Sequence, residues 1–114
     1  MSSRKDRSLY KIIPALEEHS DDYPEETPQI PGDGQEWLIE MVKGIAPNSS
    51  EGWVALVWDY NGDNEEILFL TYGSDEVKIN HIIVGDGVKK LCIVFHNESG
   101  ADLAMGCRYL AKEL

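Results

Sequence analysis

From Glu36 onward the chain alternates apolar and polar residues with a period of two, and Gly, Asn or Asp breaks the alternation at regular intervals. Period two places successive side chains on opposite faces of an extended strand. It predicts six strands: Trp37 to Val42, Trp53 to Tyr60, Ile67 to Tyr72, Val77 to Val84, Lys89 to Asn97 and Leu103 to Leu110. Asn61-Gly62, Gly73-Ser74-Asp75 and Gly85-Asp86-Gly87 are the expected turns, since these residues accept the backbone conformations that tight turns need. The stretch Lys89 to Asn97 stands apart. Leu91 to Phe95 is apolar without a break, so this strand is expected at the centre, buried on both faces. After Glu36 no amphipathic helical pattern appears, which sets a βαβ layout aside.

Before Glu36 the pattern is weaker. Leu9-Tyr10-Lys11-Ile12-Ile13 is a short apolar island closed by Pro14. Ala15 to His19 has the length of one helical turn, too short to hold alone. Residues 20–36 carry Pro24, Pro28, Pro31, Gly32 and Gly34, a density that breaks both helix and strand. Residues 1–35 are therefore expected as an acidic, irregular N-terminal arm and residues 36–114 as the folded domain. With the Leu9 to Ile13 island and Gln29-Ile30 as extra strands, the count approaches the eight of a jelly roll. The expected fold is all-β: an antiparallel β-sandwich, jelly-roll-like. An immunoglobulin-like sandwich comes second, because the Cys…Trp…Cys spacing is missing.

Charge narrows the choice of partner. The formal net charge is −11 over 114 residues, and it is unevenly placed. Residues 1–11 sum to +3, residues 12–42 hold nine acids and no Lys or Arg, and residues 43–114 sum to −5. So acidic a body repels phosphates and anionic lipid, so neither nucleic acid nor membrane is an expected partner. No apolar stretch reaches the ~18 residues of a spanning helix. No apolar run follows the basic N-terminal residues, so no signal peptide is expected. The expected location is cytoplasmic or virion-associated.

A hairpin of the last two predicted strands about Ser99-Gly100 would place Cys92 opposite Cys107. It would also set Val94 against Met105, Phe95 against Ala104 and Ile93 against Gly106, with large residues meeting small ones. Residues so opposed lie about 4.5–5.5 Å apart at Cα, within disulfide reach. The pair would be either a cross-strand disulfide or two buried thiols packing as small hydrophobes. Without a secretory context the thiols are favoured.

The remaining candidate chemistry is thin. Asp59 to Glu65 carries oxygen ligands at alternate positions, but Asn64 and Leu70 stand where a calcium loop needs Gly and Glu. His81, His96, Cys92 and Cys107 lack the spacing of a zinc site. Both thiols have apolar neighbours, which makes a cysteine inert, and no serine has a nucleophile-elbow context. No catalytic residue, metal or cofactor is expected. Trp53, Trp58 and Tyr60 are the candidate ligand-binding residues, because sugars stack on exposed aromatics. By strand parity Trp53 and Trp58 point to opposite faces. Leu9, Tyr10, Ile12 and Ile13 are the candidate interface, because an arm has too little sequence of its own to bury them.

These features point to a non-enzymatic structural or interaction module that self-associates as a homo-oligomer. Virion accessory proteins are the fold-level analogy. One alternative is an acidic inhibitor or immunity-type protein that covers a basic enzyme by electrostatic steering. A carbohydrate-binding module is the other.

Overall fold

A computed structural model describes residues 3–15, 22–46 and 51–114. It contains eight strands: β1 (Arg7–Ile13), β2 (Asp22–Pro24), β3 (Glu36–Ile45), β4 (Gly52–Trp58), β5 (Glu66–Tyr72), β6 (Asp75–Val84), β7 (Leu91–Asn97) and β8 (Leu103–Glu113). They form two four-stranded antiparallel sheets, ordered β1-β8-β3-β6 and β2-β7-β4-β5. Except at the β4–β5 hairpin, each strand crosses to the sheet opposite its predecessor. That interlocked pattern is a jelly roll. All six strands expected after Glu36 are present, and the fold class is the one the alternation implied.

The core lies between the sheets. Ile39, Val42 and Trp37 of β3, with Met105, Cys107 and Tyr109 of β8, meet Val54 and Leu56 of β4 and Ile93 and Phe95 of β7. β7 is buried along its whole length, as its unbroken apolar run requires. Its inward residues Leu91, Ile93 and Phe95 enter the core. Its outward residues Cys92 and Val94 join Ala55 and Val57 in a smaller cluster on the outer face, against which Trp53 and Tyr60 pack. The turns behave as their residues suggest: Asn61 (φ 59°) and Gly73 (φ 94°) both take positive φ.

Three expectations change. First, β7 and β8 do not pair with each other. They lie in different sheets, so Cys92 faces Val57 of β4 while Cys107 faces Leu9 of β1 and Gly44 of β3. Both thiols are free and buried, one on the outer face of its sheet and one in the core. Large-against-small matching is a property of any two alternating strands, and it does not select the partner. A buried polar knot fixes the crossover instead. Asn97 Nδ2 donates to the carbonyls of Ile13 (3.0 Å), Pro14 (3.2 Å) and Ala101 (3.0 Å), and its Oδ1 accepts from the Ser99 amide (2.9 Å) and hydroxyl (2.8 Å). The end of β7 is thereby stitched to the end of β1 in the facing sheet.

Second, two segments of the expected N-terminal arm belong to the sandwich itself. Arg7–Ile13 pairs with β8 over its whole length, and Asp22–Pro24 is an edge strand on β7. Pro24 is tolerated there because an edge strand has amides that need no sheet partner. Third, Gln29-Ile30 contributes only an isolated bridge from Gln29 to Leu91. The helical turn expected at Ala15 to His19 falls, from Leu16 on, outside the described residues, as do residues 47–50 of the β3–β4 loop.

Side chains close the gap between β1 and β2. Glu25 is buried and its carboxylate pairs with Arg7 Nε and accepts from the Ile93 amide (2.7 Å). Gln29 Nε2 donates to the Tyr109 hydroxyl (2.6 Å) and to the Lys5 carbonyl (2.8 Å). Burial holds the Glu25 carboxyl above its ordinary value, against the pull of the Ile93 amide and the Arg7 guanidinium.

Candidate interaction surface

β1 alternates, and the alternation divides the four residues expected at an interface. Ile13 lies in the core and Leu9 packs against it. Tyr10 and Ile12 point outward and are 67% and 70% exposed. Only half of the expected interface set is therefore at the surface. Tyr10 lies opposite Gly106 of β8, and its ring covers that position. A Cβ added at Gly106 would stand 2.9 Å from Tyr10 Cδ2. Next in the same row comes Ile45 of β3, also exposed. The three side-chain positions form a band across β1, β8 and β3, and Ile12 extends it toward Ala104.

Beside the band is a depression of about 150 Å³ lined by Ser8, Tyr10, Lys43, Ile45, Gly106 and Arg108. Arg108 and Lys43 lie directly opposite each other on β8 and β3, with Ser8 beyond Arg108 and Glu76 beyond Lys43. Two like charges side by side on a sheet cost stability. The sequence reading missed this row, because Lys43 and Arg108 become neighbours only through the β3–β8 pairing. The surface therefore offers an apolar band with a cationic rim on a chain of net charge −11.

The outer face of the other sheet carries the aromatic candidates, and the structure separates them. Trp58 is in the core. Trp53, half-buried on the outer face, stacks on His96 with ring centroids 4.8 Å apart and an interplanar angle of 13°. Tyr60 packs against the same outer cluster. Burial first, and then the neighbouring Cys92, Asp22 and Glu65, hold its hydroxyl above the ordinary value. His96 is itself enclosed: its Nδ1 faces Asp22 Oδ1 at 2.8 Å and its Nε2 faces Glu98 Oε1 at 3.0 Å. Trp53 thus has one ring face taken by an imidazole, and the expected triplet Trp53, Trp58 and Tyr60 does not converge on one site.

The other candidates are also dispersed. His81 lies 3.7 Å from Glu66 and is on β6, in the sheet opposite His96 of β7. Among the described residues no group of three or more His, Cys, Asp or Glu side chains converges as metal ligands would. Within Asp59 to Glu65 two of the three carboxylates are engaged by the turn: Asp59 accepts from the Asn64 amide (3.1 Å) and Glu65 from the Asn61 amide (2.7 Å). Desolvation pushes the Cys92 thiol up to about 11 and the Cys107 thiol up to about 12, far from the range of a nucleophilic thiolate.

No family model and no curated protein matches the chain. Among solved structures, the virus-like particle of the extra small virus of the giant freshwater prawn Macrobrachium rosenbergii is similar at 9% identity and a TM-score of 0.36. The match covers 96% of this chain and 79% of that one. Among the described residues no helix is long and apolar enough to cross a membrane.

Proposed function

We propose that this protein is a non-enzymatic structural module that self-associates as a homo-oligomer through the outer face of the β1-β8-β3-β6 sheet. The observation that carries the reading is the band of Tyr10, Ile12 and Ile45, which leaves large apolar side chains in water around the Gly106 depression. Contiguous apolar surface with a polar border is what protein contacts use. Arg108 and Lys43 form such a border and give an acidic neighbour a charge of opposite sign to meet. A role as a subunit of a larger assembly, virion accessory proteins included, is consistent with the jelly roll, which serves shells and lectins alike.

The test is solution mass by light scattering over a range of concentrations. A discrete oligomer is expected for the intact chain. A variant combining Tyr10→Ser with Ile12→Asp is expected to run as a monomer of about 12.8 kDa that keeps the parent's circular dichroism spectrum, because both side chains are outside the core. An intact chain that is monomeric at every concentration overturns the proposal.

A further inference from the structure

Four strands form the edges of the two sheets, and three of them are blunted. β1 carries Arg7 and Lys11, and the segment after β2 lies along its start, where Gln29 bonds the Lys5 carbonyl and Arg7 bonds the Thr27 hydroxyl. β2 has three residues, one of them Pro24. β6 carries Asp75, Glu76 and Lys78 and is bent at Asn80, whose φ is 44°. Charges, proline and bends of this kind keep an edge from pairing with another chain.

β5 is the least protected of the four: its one charge, Glu66, stands at its start, and its one irregularity is the extra residue Leu68 between Ile67 and Phe69. Among the described residues it pairs with β4 alone, and Ile67 to Tyr72 contains neither charge nor proline. Its outward side chains end three rows that run across the sheet, one aromatic and two apolar: Tyr72 beside Trp53 and His96, Leu70 beside Ala55 and Val94, and Ile67 beside Val57 and Cys92. Ile67, Leu70 and Tyr72 are 58%, 40% and 54% exposed. An added strand would satisfy the free backbone groups of β5 and continue all three rows.

Charge selects the occupant. No Lys or Arg occurs between Gly44 and Val77, a stretch with seven acids. Asp63, Glu65 and Glu66 precede the apolar part of β5, and Asp75 and Glu76 follow it, all of them exposed. A second copy pairing antiparallel through β5 would bring acid against acid at both ends. A segment with basic ends would meet opposite charge at both.

We propose that the β5 edge is a strand-addition site for an extended segment of another protein, with alternating apolar residues at its centre and Lys or Arg on both flanks. The site lies on the sheet opposite the self-association face, so it goes beyond that reading and stands or falls separately from it.

The experiment uses the full-length, isotope-labelled protein and two synthetic peptides. One has a Val-Thr-Val-Thr-Val centre between paired lysines, and the other has the same centre between paired glutamates. The lysine-flanked peptide is expected to shift the amide resonances of Glu66 to Tyr72 and to bind about tenfold more weakly when salt rises from about 50 to about 300 mM. Leu70→Lys is expected to abolish binding at an unchanged melting temperature. If that variant melts early, Tyr72→Lys takes its place. Tyr10→Ser with Ile12→Asp should bind the peptide as the parent does. No shift in β5 at about millimolar peptide, equal binding of the glutamate-flanked peptide, or full binding by a folded edge variant overturns the proposal.

Discussion

β7 and β5 belong to the same sheet and are both built from runs of apolar residues, yet they live in different surroundings. β7 (Leu91–Asn97) is buried at every position, with β2 on one side and β4 on the other. β5 (Glu66–Tyr72) has β4 on one side and, among the described residues, no strand on the other, and it exposes alternate side chains. Even the short side of β7 is completed, because the Glu25 carboxylate accepts the Ile93 amide where β2 runs out. Apolar composition therefore shows that a segment is a strand, while its place in the sheet decides whether that apolar surface is core or contact.

The sharpest way to break this comparison is at Phe95, one of the largest fully buried side chains. Phe95→Ala is expected to cost about 3–5 kcal/mol in chemical denaturation, the usual range for a large core truncation. A loss under about 1 kcal/mol would mean that β7 is not the centre of the packing. A smaller effect is expected at Glu25. Its folded carboxyl is raised by burial, so its contribution to stability is fully present below the unfolded value of 4.5 and is lost as pH rises through the folded value. Relative to Glu25→Gln, the parent should lose stability as pH rises above 4.5. Denaturant midpoints that stay parallel for the two proteins as pH rises would remove the raised carboxyl from the account. The smallest effect belongs to β5. Leu70→Lys, at an exposed outward position, should change stability by no more than about 0.5 kcal/mol, and a larger loss would put Leu70 in the core.

Much of the fold was legible in the alternation. Strands β3 to β8 follow from period two and from turn residues, and the burial of β7 on both faces follows from its unbroken apolar run. What could not be read was partnership. The alternation of β7 and β8 fits a hairpin as well as it fits two strands in facing sheets, so the Cys92–Cys107 pairing was coherent and incorrect. The Pro-rich stretch was misleading for a related reason. Proline density excludes long elements, but β2 needs only three residues at an edge, and Gln29 needs only one bridge. The surface site was half legible. Parity within Leu9 to Ile13 already separates Tyr10 and Ile12 from Leu9 and Ile13. The Arg108–Lys43 row and the Asp22–His96 contact depend on pairings between distant segments, and no local pattern announces them.

The pairing of β1 with β8 has a kinetic side. Arg7 meets Tyr109 and Ile13 meets Leu103, so the strand nearest the start of the chain is completed by the strand nearest its end, and Asn97 must arrive before the carbonyls of Ile13 and Pro14 are satisfied. Loop closure over so much chain is slow relative to local pairing, and folds dominated by such contacts form in roughly milliseconds to seconds. During synthesis β1 emerges well before its partner β8, with six strands made between them. The two halves of its alternation, Tyr10 and Ile12 on one side and Leu9 and Ile13 on the other, are then exposed together. The β4–β5 hairpin, joined through the Asn61-containing turn, is the local unit positioned to form first.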